Sequence, residues 1–234
     1  MKEEIIINTQ LALFFESPIQ RPDQLVTSFN EAVGEIFDQV PVILPVPNQV
    51  QLLEVPLVQM NSGNGVYSCN IARNRVDFFI AGEGKQKFAD IKTNLLDKVV
   101  KYYNFFTSKS KIKRIGFVVR FFVQDEKPDL VVANLISDDF KKIQDGETNQ
   151  TYVRFTTRTK IGDYEINNYS SAERTAVNIE KVGEKILGVM ITRDFNTIPE
   201  NNYTEKFSVK EMEQFIREAE SKFNLEEIKK LLWP

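Results

Sequence analysis

Asp77 and Asp194 are the residues best placed to do chemistry. Each follows an arginine closely, Arg75 two positions earlier and Arg193 one position earlier, near the end of an expected strand. A carboxylate oriented by a guanidinium suits a carboxylate-based enzyme, provided that a second carboxylate converges on it and burial raises one pKa. Composition removes most other catalytic sets. The 234-residue chain has no histidine and one cysteine, Cys69. Ser-His-Asp and Cys-His arrangements are therefore impossible, as are zinc sites built on histidine or several thiolates. Carboxylate, lysine and tyrosine remain, in no spacing that marks a known active site.

Three further groups have the right residue types for binding. Asp125-Glu126, Asp129 and Asp138-Asp139 could gather a hard cation through oxygen. They lack EF-hand spacing and fall around an expected loop and helix, where charges ordinarily face water, so no metal site is expected. Gly82-Glu83-Gly84-Lys85 stands between an expected strand and helix, where a phosphate loop would stand. It has neither the Gly-Lys-Ser/Thr nor the GxGxxG form, and Glu83 repels phosphate, so it reads as a turn. The third group is basic. Lys109, Lys111, Lys113 and Arg114 follow the aromatic run Tyr102-Tyr103-Asn104-Phe105-Phe106, and Arg154, Arg158 and Lys160 line one face of a strand. Arginine beside aromatic rings can hold phosphates and stack bases. Against this, the net charge is −3 and the pI is near 5.3, away from the basic footprint of most nucleic-acid binders.

Cys69 lies in Val66-Tyr-Ser-Cys-Asn-Ile71, a strand pattern in which a small semi-apolar residue packs, and it reads as structural. The opening MKEEIIINTQLALFFE breaks its apolar run at Asn8, Thr9 and Gln10 and lacks a signal-peptide pattern. No stretch reaches membrane-span length. A cytoplasmic location without membrane attachment is expected, and the sequons at Asn149, Asn168 and Asn202 read as chance.

The elements that must position these residues alternate between periods of two and 3.6. Glu4–Glu16 reads as a strand with Ile5, Ile7, Leu11, Leu13 and Phe15 on one face. A helix follows over Pro22–Asp38, striped by Leu25, Val26, Phe29, Val33, Ile36 and Phe37. The segment Pro41–Pro47 reads as an edge strand, since proline is kept out of central strands. Strands Gln51–Met60, Val66–Ala72 and Arg75–Ala81 precede a long helix, Lys85–Phe106, with Phe88, Ile91, Leu95, Val99, Tyr102 and Phe106 facing a core. The second half begins with a strand over Lys111–Gln124 and a weak helix over Asp129–Ile143. Strands Gln150–Ile161, Tyr164–Tyr169, Thr175–Lys181 and Ile186–Asp194 follow. Ser208 and Glu211 form a capping box that opens the next helix. Asn224 and Glu227 are candidate caps for a last short helix.

Residues 4–106 and 111–223 thus share the order β-α-β4-α without residue-level repetition. The fold class expected is α+β: a largely antiparallel curved sheet with helices on one side. Its two halves, 1–110 and 111–234, form one compact unit, by analogy with the saddle of the TATA-binding-protein fold. A helix-covered mixed sheet without pseudosymmetry is the alternative.

Glu54-Val-Pro-Leu-Val-Gln59, with Ser62 and Gly65, then Ile71 and Arg75-Val-Asp-Phe78, leads through a helix to Gly116-Phe-Val-Val-Arg120. This series resembles a sporadically distributed prokaryotic family of uncharacterised proteins, over about residues 5–200 in element order. The resemblance implies a fold and no established activity. The family's usual extra aromatic and histidine positions are missing here.

The function expected is a non-catalytic interaction or scaffold module, self-associating or binding another protein, with no cofactor. Its expected contact surfaces are the Pro41–Pro47 edge and the apolar tail Leu225, Ile228, Leu231, Leu232 and Trp233, at helical spacing. The alternatives are a nucleic-acid-binding saddle using the basic residues above and a carboxylate-based enzyme using Asp77 and Asp194. A basic, aromatic open face would favour the first alternative and a deep pocket with convergent carboxylates the second. A flat mixed-charge face with an apolar edge would favour the interaction module.

Overall fold

The computed structural model describes residues 2–44, 53–85, 87–142, 150–178, 185–201 and 207–234. A nine-stranded antiparallel sheet runs through both halves of the chain. Its strands are β1 (Glu4–Phe15), β2 (Val42–Ile43), β3 (Val58–Asn61), β4 (Tyr67–Ile71), β5 (Arg75–Ala81), β6 (Ile112–Gln124), β7 (Tyr152–Ile161), β8 (Tyr164–Asn178) and β9 (Lys185–Thr197). They lie in the order β2-β3-β4-β5-β1-β6-β9-β8-β7. The order is a palindrome apart from β2: exchanging β1 with β6, β5 with β9, β4 with β8 and β3 with β7 maps one half onto the other. The expected α+β class with a curved antiparallel sheet is what the chain adopts.

Helices α1 (Val26–Ala32), α2 (Phe88–Thr107), α3 (Pro128–Ala133), α5 (Val209–Ser221) and α6 (Leu225–Leu232) send their buried residues into one core cluster on one face of this sheet. α4 (Asp138–Lys141) buries none. The stripe of α2 reads out as expected, with Phe88, Ile91, Leu95, Val99, Tyr102 and Phe106 all buried. Phe29, Tyr102, Phe105 and Phe106 pack ring on ring with centroids 5.0–6.0 Å apart. Each buried aromatic stabilises the fold by roughly 1.5–3 kcal/mol. Tyr102 keeps its hydroxyl satisfied by donating to the Val76 carbonyl at 2.8 Å.

Several boundaries differ from expectation, each for a local reason. The helix expected over Pro22–Asp38 is a 3-10 turn, Pro22–Leu25, followed by α1, and it stops at Ala32 because Gly34 and Glu35 take positive φ. The expected Gln51–Met60 strand pairs only from Val58; Gln51 and Leu52 lie outside the described residues. The weak helix 129–143 divides into α3 and α4, with Ile143 outside the described residues. The segments expected as separate strands, 164–169 and 175–181, are one strand through Asn178, because β9 pairs with it from Ile166 to Asn178. That ladder overrides a sequence without clean alternation. Asn224 takes the left-handed conformation at φ 49° and makes no side-chain cap bond. Ser208 does cap α5, accepting from the Glu211 N–H at 3.3 Å.

β1 carries the most consequential difference. A bulge at Ile7 shifts its register between Ile6 and Asn8, so Ile6, and not Ile5 or Ile7, joins Leu11, Leu13 and Phe15 in the core. Gly82 makes room for the bulge. A β-carbon there would sit 1.9 Å from the Ile6 carbonyl oxygen.

Candidate interaction face

The sheet face opposite the helices carries the residues with chemistry, and register places them in rows. One row crosses eight strands as Gln59, Asn70, Asp77, Ala12, Gly116, Asn196, Asn167 and Arg158. The next runs Ser68, Phe79, Gln10, Val118, Asp194, Tyr169 and Thr156. At the centre, where the two halves meet, Ala12 faces Gly116 and the floor is lowest in side-chain bulk.

Charged and amide side chains flank this floor and bind one another. Asp77 Oδ1 accepts from Arg75 Nη2 at 2.7 Å and from Gln10 Nε2 at 2.8 Å. Gln10 Oε1 in turn accepts from Arg120 Nη2 at 3.0 Å, and Arg120 Nη1 reaches Asn8 Oδ1 at 2.9 Å. Arg75 and Arg114 lie over the same Phe14 ring, 4.8 and 4.4 Å from its centroid. This is how Phe14 is 6 % exposed on a face that no helix among the described residues covers. Farther out, Arg154 covers Tyr169 at 4.3 Å, and the Tyr152 and Tyr169 hydroxyls are 2.7 Å apart. Burial pushes Asp194 up to about 6, against the opposing pull of its bond from Asn196 and of Arg120, Arg75 and Arg154. Burial also lowers Arg120 and Arg114 from their ordinary values.

Asp77 and Asp194 share this face but do not converge. β1 and β6 stand between their strands, so three inter-strand spacings separate them, about 14 Å. The orienting role expected of Arg193 is overturned: neighbouring residues of a strand point to opposite faces. Arg193 lies on the helix side, donating to Asn168 Oδ1 at 2.7 Å and the Lys222 carbonyl at 2.9 Å, over Phe195. Arg75 and Asp77, two apart, do share a face.

The basic residues divide in the same way. Lys109 sits at the end of α2 over the Phe105 ring, on the helix side. Lys111 is exposed before β6, and Lys113 falls in the irregularity between Ile112 and Arg114. Arg114 alone of that run joins the open face. Arg154, Arg158 and Lys160 are on the open face of β7, where Arg158 pairs with Glu200 at 3.4 Å and Lys160 stands opposite Glu165. Acids therefore interpose between Arg114 and the β7 cations.

The remaining candidates serve the fold. Asp125 accepts from Lys2, Trp233 Nε1 and the Lys127 N–H, and Asp129 from the Thr151 N–H at 3.1 Å and Arg174 at 3.3 Å. Asp138 and Asp139 pair with Lys141 and Lys142. No cluster of three potential metal ligands occurs among the described residues. In the 82–85 turn the Gly82 N–H bonds Ile7 and the Lys85 N–H bonds Gly82, so two of its amides already serve the turn. Of the tail, Leu232 is fully buried and Leu225, Ile228 and Trp233 pack on the core; Leu231 points outward at 62 % exposure. The other expected contact surface is apolar and open: Val40, Val42, Ile43, Leu44 and Val55 are exposed along the β2 edge, while Pro45 and Pro47 lie outside the described residues.

Asn8, Gln10, Arg120, Asn196 and Tyr169 belong to the face and were not singled out by the sequence reading. Their signal was weak: Asn8 and Gln10 flank Thr9, and Arg120 shares its side of β6 with Gly116, Val118 and Phe122, so polar alternation is broken on both strands. No helix among the described residues is long and apolar enough to cross a membrane. Comparison with protein-family models and with curated proteins finds no match to this chain.

Proposed function

We propose that the protein is a non-catalytic interaction module of the cytosol that engages a protein partner through the uncovered face of its sheet. The observation that supports this most is the character of that face. It is broad and carries both signs of charge, with Asp77 bound by Arg75 and Gln10 and Arg120 bound by Gln10 and Asn8, and an apolar edge at Val40–Leu44 borders it. Mixed charge with an apolar margin suits a protein surface of matching pattern and gives specificity against wrong partners. The 14 Å between the two carboxylates, about that figure by strand spacing, leaves them too far apart to act on one bond.

A photo-crosslinking residue at Gln59 and at Asn167, near the two ends of the polar row, tests the reading, with Lys101 on α2 as the control position. Protein adducts from Gln59 and Asn167 and none from Lys101 are expected. Adducts removed by nuclease would instead favour the nucleic-acid reading, for which the Arg154–Tyr169 and Arg114–Phe14 stacks are the supporting geometry. No open-face adduct of either kind would overturn the interaction module.

A further inference from the structure

β7 ends the sheet on the side away from β2, with β8 as its one strand neighbour among the described residues. It is ten residues long, Tyr-Val-Arg-Phe-Thr-Thr-Arg-Thr-Lys-Ile, rich in β-branched and aromatic residues, with three cations and no acid. On the open face stand Tyr152, Arg154, Thr156, Arg158 and Lys160, all exposed; on the other face Phe155 is 63 % exposed. Gly162, at φ 53°, and Asp163 make a two-residue turn that closes on Ile161 and Tyr164. In such a hairpin the closing pair exchanges both ladder bonds. Alternation then turns the backbone N–H and C=O of residues 152, 154, 156, 158 and 160 away from β8. The residues that carry the cations therefore also carry the outward backbone groups.

We propose that the outer edge of β7 adds an extended acidic strand from a partner protein, one with a carboxylate at every second position. This rests on the interaction reading above and names the partner's chemistry. Main-chain bonds to the edge supply attachment, and alternate side chains supply specificity. Acids on the open-face side of the incoming strand meet Arg154, Arg158 and Lys160, and apolar residues on its other side cover Phe155 and Val153. A second copy of this chain is the wrong occupant. Antiparallel self-pairing sets the arginines and lysine of both strands against one another, and opposed like charges destabilise a strand pair. The pair already present on β7, Arg158 with Glu200, is fully on the surface and worth little, so an incoming acid competes with it.

The test is fluorescence anisotropy of the full chain with a labelled ten-residue peptide alternating glutamate and valine. Expected are saturable binding at low salt, at least tenfold weaker binding by an Arg158→Glu/Lys160→Glu variant, and a switch of that variant to a lysine–valine peptide. The switch itself shows that the variant is folded. Thr156→Pro, which deletes one outward N–H, should weaken binding of the glutamate peptide by a similar factor. Absence of binding, equal binding by wild type and charge-reversed variant, or wild-type preference for the lysine peptide would each overturn the proposal. If the peptide fails while Gln59 and Asn167 still crosslink to protein, only the β7 assignment falls. If both fail, the interaction reading falls with it.

Discussion

Asn196 leans over Gly116 at the centre of the open face. A β-carbon at residue 116 would come within 2.3 Å of Asn196 Oδ1, and the same side chain donates through Nδ2 to Asp194. The glycine thus makes room for the amide that steadies Asp194, the most perturbed carboxylate among the described residues.

Gly116→Ala should displace Asn196, a side chain able to move, and cost on the order of 1 kcal/mol in denaturant unfolding. Gly82→Ala meets the Ile6 backbone carbonyl instead, which cannot move without undoing the β1 bulge. It should cost several times more, or leave the protein insoluble. Equal losses for the two variants would contradict this account of the glycines.

Asp194 sets a pH dependence. Its folded pKa of about 6 is above the unfolded value near 3.9, so the folded chain holds the extra proton between those limits. Stability contributed by this group is therefore greatest below about pH 4, falls as pH rises to about 6, and stays at the lower level above it. Asp194→Asn removes the penalty. Relative to wild type, the variant should gain on the order of 2 kcal/mol between pH 4 and pH 7.5 in urea titrations. A difference unchanged across that range would show that Asp194 titrates normally.

Cys69 is fully buried in β4, and burial, with Asp77 adding, pushes its thiol well up. Native protein should not react with a thiol reagent on the time scale of minutes, while urea-unfolded protein reacts at once. Cys69→Ala should cost roughly 1–2 kcal/mol, and Cys69→Ser more, because an unpartnered hydroxyl replaces the thiol in the core. Rapid native labelling would place the thiol at the surface.

The tail is fastened at both of its sides. Trp233 Nε1 donates to Asp125 at 2.9 Å, Asn134 Nδ2 donates to the Leu232 carbonyl at 2.8 Å, and the nearly buried Lys229 binds Glu4 at 2.6 Å. Deleting residues 225–234 strips Glu4 and Asp125 of these partners and uncovers the core around Leu232. The melting temperature should fall by several degrees or more. Leu231→Ser, which touches only solvent-facing surface, should leave it unchanged. A truncated chain that melts like the full one would show that the docking contributes nothing.

The amino-acid sequence by itself determined the elements and the class. Apolar residues at period two in β5 and at period 3.6 in α2 and α5 can bury one face in only one way each, and composition excluded histidine chemistry and sites of several thiolates outright. Tertiary structure decided what shares a surface. Whether Asp194 is held by Arg193 or by Asn196 depends on strand faces, and one bulge at Ile7 reverses the faces of everything before it. The separation of Lys109 from Arg114 is likewise a matter of which side of the sheet each element leaves from. The 14 Å or so between Asp77 and Asp194 follows from β1 and β6 being inserted between β5 and β9, an ordering set by long-range pairing and invisible to local pattern. Periodicity is a local property of the chain, whereas the convergence of side chains depends on register and strand order, which form only when distant segments pair.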